Sequence, residues 1–284
     1  MSGSDAACRL FVYLARDAPV GVVLRRGPSD WVRLSRWNTS DDTFEHGQWM
    51  RNRVYERRSD LSPDGALFVA FVRGSGQDAG PNRDSWVAVS RPPWFTALAL
   101  WFVGGTYCTG GFFPDATKLW LGFEPGQPDK GDLPPRLSAT TSTEGYIDRT
   151  NDWPDRTVWL NRLRRDGWEL IVGAVPETWL RPHQDGTLLL EMTIVSNLAF
   201  DAYGGRYVVE YAVVTADHQA IFPLGQATWA DWDRRGRLVI ARDGRLLHWT
   251  PPDRYELIED FNPQVPDPAA APPDASVWPE PPGD

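Results

Sequence analysis

The chain has 284 residues, 42% of them hydrophobic, with a net charge of −9 and a pI near 5.0. This acidic balance argues against a nucleic-acid groove or an anionic membrane surface as the main partner, and the length suits one large all-β domain or two small ones. Two cysteines, Cys8 and Cys108, are too few for a disulfide framework, and residues 1–7 lack the basic and apolar regions of a secretory signal.

No apolar run reaches membrane-spanning length, so the expected localisation is cytoplasmic. Residues 9–15 and 20–25 read as two strands joined by a Pro-containing turn. Trp31 to Trp37 alternate apolar and polar residues, the pattern of a half-buried strand. Residues 43–55 give one or two short strands broken at Gly47, and 54–59 at most a turn of helix. The clearest strand entry runs from Ser62 to Val72. After a Gly-, Asp- and Asn-rich loop (73–84), a strand is expected at 86–89. Arg91-Pro92-Pro93 then interrupts pairing, because proline donates nothing to a ladder.

Residues 96–102 read as a fully buried strand, and the Gly-rich 104–111 segment leads to apolar runs at 112–113 and 118–123. Residues 124–156, with five prolines among many Asp, Ser and Thr, read as a long insertion. Strands are expected at 158–163, 168–175, 187–195, 206–215, 219–223, 237–241 and 245–249, with at most another helical turn in 251–259. Eight of the 25 prolines fall in 261–284, which reads as an extended tail with Trp278 as its anchor.

One phrase recurs: a tight turn ending in glycine, then an apolar run. It stands at Asp64-Gly65, Asp166-Gly167, Asp185-Gly186, Arg235-Gly236 and Asp243-Gly244. Glycine accepts the positive φ of short turns and aspartate bonds its own backbone nearby, so each copy reads as a turn feeding an inner strand. Ser62-Pro63-Asp64-Gly65 before Leu67-Phe68-Val69 resembles the turn of TolB-like propeller repeats. Ala230-Asp231-Trp232-Asp233 through Val239 is similar to the Trp-Asp phrase of WD-repeat propellers, and residues 86–101 resemble bacterial proteins of unassigned function. The resemblance implies an all-β β-propeller of about five to six four-stranded blades over 1–258, with the Pro-rich tail at 259–284. It departs from regular WD repeats in lacking a Gly-His dipeptide and an even period. The usual closure of propellers leads to the expectation that 9–15 pairs with 237–249. A two-domain β-sandwich divided near 124–156 is a further possibility.

The chemistry-bearing residues are dispersed. His46, His183, His218 and His248 do not pair at ligand spacing, so no metal or other cofactor is expected. The acidic loop Asp148 to Asp155 lacks the bidentate Glu of a calcium loop. Cys108 has no histidine nearby in sequence, and no Gly-x-Ser-x-Gly elbow occurs, so no catalytic residue is assigned. Of the 15 tryptophans, Trp31, Trp37, Trp86, Trp101, Trp120 and Trp249 sit within strand patterns and are expected in the core. Arg91, Trp94 and Trp278 are the candidate protein-interaction anchors. The expected function is a non-catalytic scaffold or interaction module in a larger bacterial assembly, its partners other proteins. The alternative is a propeller enzyme or carbohydrate-binding protein with a site in a central channel.

Overall fold

The structure is a computed structural model that describes residues 8–74, 83–142, 154–200, 206–217 and 219–280. The chain forms two compact units: a large one of Tyr13–Arg165 with Pro266–Asp284, and a small one of Met1–Val12 with Asp166–Val265. Among the described residues it is all-β apart from one α-helix and short 3-10 turns.

The first sheet has the order β1-β2-β3-β4-β6-β7-β8, with β5 beside β6. Its strands are β1 (Arg9–Leu14), β2 (Val20–Arg26), β3 (Trp31–Asn38), β4 (Thr43–Val54), β5 (Asp60–Leu61), β6 (Phe68–Gly74), β7 (Ser85–Ser90) and β8 (Ala97–Phe102). This is one hydrogen-bonded path made of two sets of strands that share β4. β4 pairs with β3 over Thr43–Arg51, and then with β6 over Asn52–Val54. A second sheet joins β9 (Gly111–Asp115), β10 (Lys118–Leu121) and β11 (Ser138–Thr140), the last parallel to β10. Val69, Phe71, Val87, Val89, Phe113 and Leu119 lie in one solvent-free core. β6 is buried on both faces, so its run of consecutive apolar residues replaces alternation.

The segment 158–163, expected as a strand, is instead the middle of helix α1 (Pro154–Arg165). Pro154 suits a first helical turn, Asp155 complements the dipole there, and Arg162, Arg164 and Arg165 complement it in the last turn. The chain leaves the helix through Gly167, whose φ of 87° is the left-handed conformation that stops helices. Asp166-Gly167 therefore ends a helix rather than turning a hairpin. The other four glycines of the recurring phrase, Gly65, Gly186, Gly236 and Gly244, have φ between 71° and 74° and serve as turns.

In the small unit, β12 (Glu169–Val172), β13 (Glu177–Pro182), β14 (Leu188–Phe200), β15 (Arg206–Thr215) and β16 (Ile221–Gln226) form an antiparallel meander. A second antiparallel sheet follows with β17 (Trp229–Trp232), β18 (Leu238–Arg242), β19 (Arg245–Thr250) and β20 (Arg254–Asp260). Residues 251–259, expected to supply at most a helical turn, thus carry β20, held as a strand by its pairing with β19. The expected pairing of 9–15 with 237–249 is also not made, since β1 lies beside β2. Cys8, just before β1, instead bonds the segment that follows β20: its backbone N–H donates to Asn262 Oδ1 at 3.1 Å.

Candidate functional site

Two ionic clusters and one apolar edge stand out. In the large unit, the backbone between β4 and β5 makes a 3-10 turn (Glu56–Arg58) that delivers Asp60 into a buried seam against α1. The Asp60 carboxylate is held by Arg165, through an Nη1–Oδ2 bond and an Nη2–Oδ1 bond of 3.1 Å. Arg162 Nε lies 3.8 Å from Oδ1, and the Phe113 N–H donates to Oδ2 at 2.9 Å. Arg162 also donates to the Ser59 carbonyl and lies over the Tyr13 ring at 4.7 Å. Burial drives the Tyr13 hydroxyl well above its ordinary pKa, and it donates to the Glu56 carbonyl at 2.7 Å. Arg58 pairs with Asp155 and donates to the carbonyls of Thr106 and Cys108 at 2.6 and 2.9 Å. The donors and carboxylates of this seam are spent on one another. Its chemistry is that of a clamp between helix and sheet.

The second cluster ties the two sheets of the small unit. Asp231 on β17 is buried and ion-paired with Arg181 on β13, and its Oδ1 accepts the Trp232 N–H at 2.8 Å. Burial pushes its pKa up to about 6 even against the opposing pull of Arg181. His183 Nε2 faces the Gly236 carbonyl at 3.0 Å while Nδ1 sits 2.6 Å from Asp185, so both ring nitrogens are engaged. Asp233 accepts from the N–H groups of Arg235 and Arg237 at 2.9 Å and from the Arg237 guanidinium at 2.8 Å, which builds the β17–β18 turn. The Trp-Asp phrase thus does structural work: one aspartate joins sheets and the other shapes a turn.

Among the described residues, no group of three or more His, Cys, Asp and Glu is placed to hold a metal ion. His218 and most of the acidic loop 148–155 lie outside the described residues; Asp155 itself is the partner of Arg58. Burial pushes the Cys108 thiol up, against the smaller opposing effects of the Gly110 N–H and Arg58, so the reactive thiolate is disfavoured. Burial lowers His46, whose Nδ1 is 3.0 Å from Ser35 Oγ. No helix among the described residues is long and apolar enough to cross a membrane.

Of the expected anchors, Arg91 and Trp278 meet the same feature. Arg91 Nη1 donates to the Asp274 carbonyl at 3.2 Å and lies 3.5 Å from its carboxylate. Trp278 packs, partly buried, against the core of the large unit, and Arg136 donates to the Pro279 carbonyl. Trp94 is half-buried in the turn after Arg91, its N–H donating to the Arg91 carbonyl at 2.9 Å. The tryptophans expected in the core divide: Trp37, Trp101, Trp120 and Trp249 are buried, whereas Trp31 and Trp86 are only half-buried.

The feature that sequence reasoning misses is an apolar edge. β12, expected as an inner strand, is the edge of its sheet and exposed along its length. Leu170, Ile171 and Val172 are 40%, 55% and 45% exposed, and Val175 beyond them 46%. A Leu-Ile-Val run looks the same in sequence whether it ends inside a sheet or at its rim.

No protein-family model matches the chain, and no curated protein matches it. Among solved structures, the crystal structure of the tricorn protease aligns with 89% of this chain at 8% identity and a TM-score of 0.26. This chain covers 26% of that one, and likeness at this level carries no argument.

Proposed function

We propose that this protein is a non-catalytic interaction module of a larger bacterial assembly, and that β12 is where a partner protein adds a strand. The observation carrying this reading is the exposure of Leu170, Ile171 and Val172 on a sheet edge. An edge strand offers unpaired backbone groups, and native proteins ordinarily blunt such edges with charge, proline or a covering segment. An apolar, uncovered edge fits a partner that supplies main-chain hydrogen bonds and pockets for alternate side chains. The engagement of Asp60, Asp231 and His183 in structural contacts favours this reading over a catalytic one.

The propeller architecture belongs to the same proposal. Division of the first sheet at β4 leaves five successive sets, β1–β4, β5–β8, β9–β11, β12–β16 and β17–β20, antiparallel except for β11, which runs parallel to β10. Sets of this size in chain order are what blades of one propeller require.

Affinity purification of tagged protein from its native host tests the function. A stoichiometric partner retained by the wild type and lost with Ile171→Lys is the expected result. A lone protein whose melting temperature shifts with a sugar or nucleotide overturns the reading.

A further inference from the structure

The tail is attached to the large unit in an unusual way. Phe261 is fully buried in the small unit, and Ala275 is fully buried in the large one. Between them, the chain at 267–270 is exposed and without regular structure. From Pro272 to Pro279 the segment makes one short 3-10 turn (Pro273–Ser276) and joins no sheet among the described residues.

Its contacts are those by which a groove reads a peptide. Two arginines of the body, Arg91 and Arg136, donate to main-chain carbonyls of the segment, those of Asp274 and Pro279. Arg91 also faces the Asp274 carboxylate at 3.5 Å, a pair exposed enough to exchange with water. Trp278 supplies the apolar anchor, resting on the core cluster that includes Leu137 and Trp101, while Val277 next to it is 59% exposed. Flanking prolines hold the segment extended before it docks, which lowers the entropy cost of ordering it.

We propose that residues 272–279 are a tethered, releasable ligand, and that the surface of the large unit beneath them is a peptide-docking groove. The groove selects an extended segment in which an acidic residue is followed, four and five positions on, by Trp-Pro. In this chain those positions are Asp274, Trp278 and Pro279. The built-in segment occupies the groove in cis, and the exposed spacer at 267–270 lets it leave without disturbing Phe261 in the small unit.

The test inserts a protease site between Pro268 and Ala271 of the full chain. After cleavage, a fluorescent peptide of residues 271–280 is titrated in, and circular dichroism follows the fold. The expected result is exchange of the cut tail for labelled peptide in a folded protein. A Trp278→Ala peptide then binds at least about tenfold more weakly, the loss of one partly buried indole, with partial recovery by Trp278→Phe. Arg91→Ala in the body weakens binding of the wild-type peptide. A cut tail that never exchanges, unfolding on its departure, or equal binding of wild-type and Trp278→Ala peptides each overturns the proposal.

Discussion

Asp60 in the large unit and Asp231 in the small one are both buried against arginine, and they differ in how completely the charge is answered. Asp60 has two guanidiniums and a backbone N–H around a carboxylate that is 1% exposed. Asp231 has one arginine, the Trp232 N–H and the Trp168 side chain, and its pKa is pushed up to about 6 by burial. A buried carboxylate stays comfortably ionised only when its hydrogen-bonding capacity is filled by charged and backbone donors together. One arginine leaves the desolvation cost partly standing.

The largest expected effect breaks this comparison on its better-supplied side. Asp60→Asn leaves Arg162 and Arg165 facing a neutral group inside the seam, and removing one partner of a buried pair costs about 3–5 kcal/mol. Chemical denaturation of the variant checks it; a loss below about 1 kcal/mol would mean that the helix is held by apolar contacts alone.

A second variant sharpens the other side. Asp231 has a folded-state pKa raised from 3.8 to about 6, so its favourable contribution is full below pH 3.8 and is lost as pH rises through 6. The stability of the wild type relative to Asp231→Asn should therefore fall by about 3 kcal/mol between pH 3.5 and pH 7, because each tenfold change in proton affinity is worth about 1.4 kcal/mol. Denaturation midpoints of both proteins at the two pH values decide it, and a pH-independent difference would show that Arg181 offsets the burial and leaves Asp231 at its ordinary pKa.

The smallest effect lies at the edge. Ile171→Lys replaces an exposed side chain that supports no core, so stability should move by no more than about 0.5 kcal/mol in thermal unfolding. A larger loss would place Ile171 in a structural contact and remove it from the proposed docking edge.

The all-β class and most of the turns were legible because they rest on local chemistry. Gly65, Gly186, Gly236 and Gly244 occupy the left-handed region that their turns demand, and that demand is written in adjacent residues. Helix α1 was not legible: Val158-Trp159-Leu160 favours a strand locally, and only Pro154, Asp155 and the arginines of the last turn mark the alternative. The ionic seam was invisible for a different reason. Asp60 and Arg165 are 105 positions apart, and nothing near either residue announces the other. Of the anchors chosen from sequence, Arg91 reaches Asp274 of the segment that carries Trp278, across a separation of 183 residues that no local pattern encodes.

The double allegiance of β4 has a mechanical consequence. Because Thr43–Arg51 belongs to one ladder and Asn52–Val54 to the next, pulling on either set loads the same backbone. The first eight strands are spliced rather than stacked, and amides of β3 and β7 should gain access to solvent exchange in a single opening event rather than in two.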